Sequence, residues 1–321
     1  MTISRQSHPA RAALLIALLG FFSLSVGDAV VKSLAGAWPA PAVSALRYAM
    51  GAVGLAAVVG VRMGRGGFVL PQPALQFGRG AAVAFATICF FAGVYAMPLA
   101  DATAIQFTSP VITALLAPLV LGERTTRATW AATLLAFAGV LIVLRPNLME
   151  LGAVALFPLG AAFGMSWLMM FNRMAAGDAP VLVMQFVLAM FAAPLLIGAA
   201  LLYAAVIEPI PVPDALVVAK CAAIACFATL GHSLIFAAVK RADASVVAPM
   251  TYVQLIVAAG IGWLWFGDRP DLATLGGAAL IIGGGLLLWR TQRAGRGRDE
   301  TGGIGGGCAA SDQRGAGGGA G

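Results

Sequence analysis

The sequence predicts an all-α membrane protein whose ten transmembrane helices form two inverted five-helix repeats. Three observations support this fold class: an apolar composition, ten apolar segments of near-spanning length, and an internal repeat. Of the 321 residues, 60% are hydrophobic and only 10% are charged, and the mean hydropathy is +0.93. A soluble domain carries about 25% charged residues. Lipid rather than water must therefore surround most of the folded chain.

The apolar segments recur from one end of the chain to the other and are separated by short loops. A helix needs about 20 apolar residues to cross the hydrocarbon core, and these segments meet or approach that length. Arg11 before the first segment also fits a secretory signal, but the apolar run continues past Asp28 without a clear cleavage site, which favours a retained helix. The predicted helices are 12–31, 42–61, 80–98, 103–121, 128–145, 151–171, 181–203, 217–238, 244–266 and 272–290.

The basic residues indicate the orientation of the chain. With ten helices, 15 of the 20 Lys and Arg residues fall on the side that carries both termini, and positive loops mark the cytoplasm. We therefore predict a cytoplasmic N-terminal segment, 1–11, and a cytoplasmic Gly-rich tail, 291–321, which its composition marks as disordered. The net charge of +7 is spread in ones and twos, which fits short loops and excludes a nucleic-acid-binding face.

An internal repeat divides the membrane region into two halves, 12–145 and 151–290. Segment 122–145 aligns with segment 267–290 at a shift of 145 residues with eight identities. Ala-Asp-Ala-Thr at 100–103 is echoed by Ala-Asp-Ala-Ser, which begins at residue 242. Since each half holds five helices, the second half enters the membrane from the opposite side. Inverted repeats of this kind are typical of secondary transporters, whose substrate site lies near the midplane between the halves.

Two long segments carry a resemblance to a known family. Residues 98–124, PLADATAIQFTSPVITALLAPLVLGER, and residues 242–271, ADASVVAPMTYVQLIVAAGIGWLWFGDRPD, resemble the EamA family of the drug/metabolite transporter superfamily. Asp268 stands where Glu is commoner. The resemblance extends over about residues 12–290 and implies a multi-pass protein of the bacterial inner membrane that transports amino-acid, vitamin or nucleotide-like solutes, with export favoured over import.

Polar residues inside these apolar helices are the candidate functional residues, because an ionisable group in a membrane helix is costly unless it is paired or faces water. Arg47 either binds an anionic group of the solute, such as a carboxylate, or extends to the outer interface or pairs with Asp28. Asp28 and Lys32 are four residues apart on one helix face, so they form a local ion pair or act in gating or proton coupling.

The other candidate residues fall in the two matching helices and beside them. Gln106 and Thr108 precede a proline that leaves a backbone carbonyl free. Tyr252 and Gln254 follow a proline in the matching helix, so these polar residues either line a cavity or pack between helices. His232 is either a hydrogen-bonded core residue or a proton relay. Two aromatic residues either stack on a planar solute or serve packing: Tyr95 and Trp167.

Other features limit the possible functions. Four cysteines without a CxxC pair and only two histidines argue against a zinc site, and no cofactor is expected. No HExxH, GxSxG or P-loop motif is present, so an enzyme or a directly ATP-driven pump is not supported. Glycines in the last helix allow close packing within the chain or at a homodimer interface. The expected partners are therefore a small solute and membrane lipid. The competing interpretations are a scaffold or assembly protein and, less favoured, a membrane-embedded enzyme.

Overall fold

The computed structural model of the chain describes residues 7–122, 127–175, 179–239 and 248–304, and these ranges contain helices and no strand. Short 3-10 turns lie at Gly64–Gly67, Gly152–Leu156 and Ala248–Tyr252. The α-helices are α1 (Ser7–Lys32), α2 (Ala40–Met63), α3 (Pro73–Ala96), α4 (Leu99–Gln106), α5 (Ser109–Leu121), α6 (Arg127–Leu151), α7 (Phe157–Met174), α8 (Val181–Val206), α9 (Ala215–Val239), α10 (Val253–Phe266) and α11 (Leu272–Ile304).

The predicted fold class is confirmed. Among the described residues, seven helical segments are long and apolar enough to cross a membrane, and three shorter apolar segments accompany them. Each of these ten segments overlaps one of the ten predicted helices, with α4 and α5 together forming a single span, Leu99–Val120.

Most helix bounds differ from the predicted ones by several residues, and the two interrupted helices differ in form as well. Predicted helix 103–121 is interrupted at residues 107–108, because Pro110 at the start of α5 has no N–H to bond the carbonyl four residues before it. In the matching segment, α10 begins only at residue 253, after a 3-10 turn, and residues 244–247 of that prediction lie outside the described residues.

Helix α11 extends past the predicted helix end at residue 290 and continues to Ile304, because adding a residue to an existing helix costs far less than nucleating one. The predicted disorder of the tail stays a prediction. The remainder of the predicted tail, 305–321, lies outside the described residues.

Helices pack across the two halves in a pattern that repeats when the halves are exchanged. Helix α1 contacts α9 and α10, whereas its counterpart α7 contacts α3 and α5. Helices α2 and α8, which are counterparts, contact each other, and so do α6 and α11. These contacts are those expected of two repeats related by a pseudo-twofold axis.

Two side-chain hydrogen bonds follow the same pseudo-twofold relation. Ser25 Oγ on α1 donates to the carbonyl oxygen of Gln254 at 2.9 Å. Ser166 Oγ on α7 lies within hydrogen-bond distance of two carbonyl oxygens, that of Ser109 at 2.9 Å and that of Ala162 at 2.7 Å. Ser25 and Ser166 are 141 residues apart, and Ser109 and Gln254 are 145 apart. The carbonyls of Ser109 and Gln254 lie in the first turn of the helix that follows an interruption, so each serine ties α1 or α7 to the start of that helix in the other half.

Glycines allow α6 and α11 to approach within backbone contact. A Cβ on Gly139 would lie 2.6 Å from the carbonyl oxygen of Gly277. A Cβ on Gly277 would lie 2.4 Å from Val143 Cγ2. Gly277 therefore serves packing within the chain, which is one of the two roles expected for the glycines of the last helix.

Gly277→Ala is expected to destabilise the protein, and the neighbouring Gly276→Ala is its matched control. Overpacking against α6 costs about 1–3 kcal/mol. A Cβ on Gly276 meets no atom within 4 Å, so there alanine gains up to about 1 kcal/mol of helix propensity. The measurement is the thermal unfolding midpoint of the purified variants in one detergent. A Gly277→Ala midpoint at or above that of Gly276→Ala would contradict the close crossing.

Candidate functional site

Arg47 is the central charged group of the candidate site. It lies on α2 and is half-buried, and its guanidinium carbon lies 4.8 Å from the ring centre of Tyr48 and 5.3 Å from that of Phe91. These aromatic faces stabilise a cation that has left water. Within the described ranges the guanidinium donates no hydrogen bond to another residue. Its N–H donors are therefore available to a ligand.

Polar groups from two other helices lie within electrostatic range of this cation, and Gln254 of a third helix hydrogen-bonds one of them. The charge of Arg47 acts electrostatically on Asp28 of α1 and on Cys221 and His232 of α9. The amide nitrogen of Gln254, on α10, donates to Asp28 Oδ2 at 3.0 Å. The first half thus supplies two charged residues, and the second half supplies neutral polar ones. The cluster formed by these five residues is called the interior polar site below.

Two ionisable members of the interior polar site differ in exposure: the His232 side chain is exposed, whereas Asp28 is half-buried. His232 also makes no hydrogen bond to another described residue, so the structure does not support the interpretation of a hydrogen-bonded core histidine.

Lys32 does not pair with Asp28, so the predicted local ion pair is wrong. Its ammonium forms an ion pair with Asp268 and donates to the carbonyl oxygen of Met97 at 3.1 Å. It also lies 5.2 Å from the ring centre of Phe266. Because Lys32 is the last residue of α1, its side chain extends beyond the helix end. Asp28 lies one turn deeper, where it meets the amide of Gln254 instead.

The residues around the interruption between α4 and α5 mainly compensate the broken helix. Thr108 is buried, and its hydroxyl donates to the carbonyl oxygen of Ile105 at 2.7 Å. Gln106 is half-buried and ends α4. Contact of Gln106 and Thr108 with a solute stays a prediction.

The three candidate aromatic residues all have packing partners. The hydroxyl of Tyr252 lies where a Cβ on Gly285 would be, only 1.4 Å from that position, and its ring meets Phe107 edge-on at 5.9 Å. Tyr95 donates to the carbonyl oxygen of Trp38 at 3.0 Å. Trp167 lies between Phe163 and Phe171, with ring centres 6.3 and 5.6 Å away. These contacts match the packing role expected for Tyr95 and Trp167.

A groove between α2 and α8 is distinct from the interior polar site. It has a volume of about 280 Å³ and only apolar lining, including Trp38, Leu46, Ile197 and Ile210. Without a polar group it cannot compensate a polar solute for lost water. Among the described residues, no three His, Cys, Asp or Glu side chains are grouped closely enough to hold a metal ion.

Together, the apolar ten-span bundle, the exchanged packing of its halves and a polar site between them define a multi-pass membrane protein of the repeat-built transporter class. The chain belongs to the EamA-like transporter family, whose model matches residues 11–145 and 152–290. It is accordingly a member of the drug/metabolite transporter superfamily, and a transporter rather than an enzyme.

Similar proteins of known role are bacterial metabolite transporters. The chain is 27% identical to the pseudopaline exporter CntI of Pseudomonas aeruginosa, over 88% of this chain and 98% of that protein. It is 26% identical to the S-adenosylmethionine uptake transporter of Rickettsia bellii, over 86% and 92%. It is 30% identical to the riboflavin transporter of Rhizobium johnstonii, over 63% and 65%. The general function of this chain is therefore the transport of small metabolites across a membrane.

A solved structure supports the same fold. A crystal structure aligns with a TM-score of 0.57 at 20% identity, over 88% of this chain and 98% of the other. At this identity the likeness concerns the fold alone.

Tyr252→Phe is expected to retain transport, whereas Gly285→Ala is expected to destabilise the protein. The hydroxyl of Tyr252 is packed against α11, so its loss leaves the interior polar site unchanged, but a methyl group on Gly285 displaces the ring at a cost of about 1–3 kcal/mol. Thermal unfolding of both variants, with transport measured at matched membrane levels, checks this. A stable Gly285→Ala would contradict the packing of the hydroxyl against α11, and a Tyr252→Phe that folds but no longer transports would show that the hydroxyl serves the solute.

Proposed function

We propose that this protein is a secondary transporter that moves a small polar metabolite, of the amino-acid, vitamin or nucleotide-like kind, across the bacterial inner membrane by alternating access. Export is favoured over import, as the resemblance implies and as the CntI exporter supports. The observation that carries the proposal is Arg47. It is a half-buried cation on an apolar helix, it hydrogen-bonds no other described residue, and it lies within electrostatic range of groups from both halves.

The fold does not require a charge at this position. Pro39 precedes α2, and Pro180 precedes α8. The two prolines are 141 residues apart, so a shift of 141 residues aligns the two helices. The same shift pairs Arg47 with Leu188, which packs with an apolar cluster. An arginine at the centre of a membrane helix costs about 2.5–3.5 kcal/mol even on the most favourable insertion scale, and Arg47 lies about a third of the way along α2. Because the equivalent helix is built with leucine, the cost of Arg47 is best explained by binding.

A residue pair at one end of the bundle supports a gating role. The Lys32–Asp268 ion pair joins the end of α1, in the first half, to the loop after α10, in the second half. Lys32 also donates a hydrogen bond to the Met97 carbonyl oxygen. The end of α1, the residue after α3 and the loop after α10 are therefore joined at one end of the bundle. Separation of the halves at this end requires the ion pair to break, so we assign Lys32 to the gate.

The orientation follows from the arginine asymmetry. Cytoplasmic N- and C-termini place the Lys32–Asp268 pair at the periplasmic end. The interior polar site then opens to the cytoplasm while this pair is formed and to the periplasm after it breaks.

Membrane lipid is the surrounding partner, because large apolar side chains on the spans remain exposed, including Leu19, Val61, Leu201 and Trp263.

Arg47→Ala is expected to abolish solute movement, with Arg62→Ala as the control. Arg62 is on the same helix but exposed at its end. Loss of a hydrogen bond to a charged group costs about 1.5–3 kcal/mol, which lowers solute affinity roughly ten- to a hundredfold. Intracellular and extracellular metabolites are compared in strains that express wild type or either variant at matched membrane levels.

Each outcome has a defined meaning. A solute class that moves with wild type and Arg62→Ala but not with Arg47→Ala supports the proposal. Equal movement with Arg47→Ala removes Arg47 from the site but retains transport. If no solute moves in any strain, the scaffold interpretation replaces transport.

A separate prediction concerns the Lys32–Asp268 ion pair and is tested by exchanging its two charges. Lys32→Asp and Asp268→Lys each place like charges at the closed end, so each alone is expected to slow transport severalfold. The double variant restores an attraction between α1 and the loop after α10, and transport should recover at least in part. Rates are measured for the solute identified above. A double variant as slow as the slower single variant would contradict a gating ion pair.

A further inference from the structure

We propose that the groove between α2 and α8 binds one acyl chain of a membrane phospholipid as an ordered part of the protein. This binding site goes beyond the transport of a solute, and it lies on a different surface from the interior polar site. The length, the lining and the volume of the groove support the assignment. The region at the opposite end of the same two helices supports it as well, because there protein side chains fill the equivalent space.

The groove has the depth of one leaflet of the bilayer. Trp38 and Ile210 line it just outside the ends of the two helices. Ala49 lies nine residues after the first residue of α2, and Ile197 lies nine residues before the last residue of α8. Nine helical residues rise by roughly 14 Å, and one leaflet supplies half of a hydrocarbon core of about 30 Å. The groove therefore runs from the membrane surface to the midplane, through the periplasmic leaflet in the proposed orientation.

The lining of the groove favours hydrocarbon over water. All the residues that line it are apolar, and the indole N–H of Trp38 already donates to the carbonyl oxygen of Pro211 at 2.8 Å. A water molecule would find no free polar side chain there. Ile197 is exposed, as are Val53 and Leu201, one turn further along α2 and α8. The groove is thus continuous with the exposed apolar surface of the spans, from which a lipid chain can enter.

Protein side chains fill the equivalent space at the opposite end of α2 and α8. The 141-residue shift pairs three alanines of the groove with larger residues: Ala42 with Val183, Ala45 with Phe186 and Ala49 with Met190. Phe186 is buried in a cluster with Val59, and its ring meets that of Phe68 edge-on at 5.4 Å. The repeat therefore tolerates large side chains at these positions, and the alanines of the first half keep the groove open.

The volume of the groove suits an acyl chain. An apolar cavity of about 150 Å³ binds benzene, which has six carbons, so a groove of about 280 Å³ has room for roughly a dozen carbons. Without an occupant the walls would lose the dispersion contacts that close packing gives. Since α2 and α8 belong to different halves, a chain in the groove packs against both of them and adds contacts across the boundary between the halves.

The test uses the full-length protein in detergent, with phosphatidylcholine that carries a photoactivatable diazirine on one acyl chain. After illumination, mass spectrometry identifies the labelled residues. A diazirine near the glycerol should label the region of Trp38 and Ile210, and one at the chain end should label the region of Ala49 and Ile197. Because detergent replaces loosely bound lipid, both regions should be labelled more than an exposed apolar face elsewhere, such as that of Leu264 on α10.

Substitutions copied from the other half should close the groove. Ala45→Phe places in it the ring that the repeat carries at Phe186, and labelling should fall to the level of the Leu264 face. Ala49→Met fills only the deep end and should remove labelling by the chain-end probe. Val53→Phe adds the same ring at an exposed position of α2 and should label as wild type does. Each variant must elute as wild type does before illumination, and Ala49→Met carries the test if Ala45→Phe does not.

Three results would overturn the acyl-chain site. The first is labelling of the groove no stronger than that of the Leu264 face, and the second is labelling that neither Ala45→Phe nor Ala49→Met reduces. The third is a wild-type dimer that Ala45→Phe converts to a monomer, because a second copy of the chain would then occupy the groove. Neither readout depends on solute movement, so any of these results leaves the proposed transport function standing.

Discussion

Close backbone approach between the two halves is the constraint on which the rest of the structure depends. Lipid offers no hydrophobic force to hold helices together, so packing at small residues replaces it. Gly139 and Gly277 provide this at the crossing of α6 and α11. At the crossing of α1 and α9, a Cβ on Gly20 would lie 3.0 Å from the carbonyl oxygen of Gly231. Gly164 of α7 approaches α3 in the same way.

Some polar groups have a structural role, because they form hydrogen bonds between the helices that cross. Arg79 of α3 donates to Asn172 of α7 at 2.7 Å. Lys220, 141 residues later on α9, donates to the Ser33 carbonyl oxygen, just after α1, at 3.1 Å. Like the two serine bonds, they occur once in each half and fasten the ends or interruptions of paired helices. Polar groups that obey the pseudo-twofold relation thus hold the halves together, whereas Arg47 does not follow it.

Much of the fold was predictable because lipid imposes simple rules on a sequence. Span length, short loops and the 145-residue repeat indicated the ten helices and their division into halves. Pro110 marked the interruption before α5, although the sequence did not show that the Thr108 hydroxyl would donate to the Ile105 carbonyl oxygen. The bound at residue 290 was placed too early, because composition alone does not show how far an established helix propagates.

The site was predictable in part. Its charged and amide members, Arg47, Asp28 and Gln254, are conspicuous in apolar helices. The partner of Lys32 was not predictable, because a spacing of four residues favours Asp28 whereas the fold brings Asp268 to the helix end. The Tyr252 hydroxyl occupies the space that Gly285 leaves by having no side chain, and this space forms only when α10 and α11 pack together. Cys221 lies in the apolar core, which is what the apolar context of a cysteine predicts.

The most direct measurement is the water accessibility of position 232 from each face of the membrane. His232→Cys is made with the four native cysteines replaced and treated with a membrane-impermeant thiol reagent, which needs a hydrated thiolate. Val212→Cys, in an exposed loop, is the positive control, and Leu201→Cys, on an exposed apolar helix face, is the negative control. Alternating access predicts that the thiol introduced by His232→Cys reacts from the cytoplasmic face, and from the periplasmic face only when Lys32–Asp268 is disrupted. No reaction from either face, with both controls behaving as expected, would contradict a solute pathway between the halves.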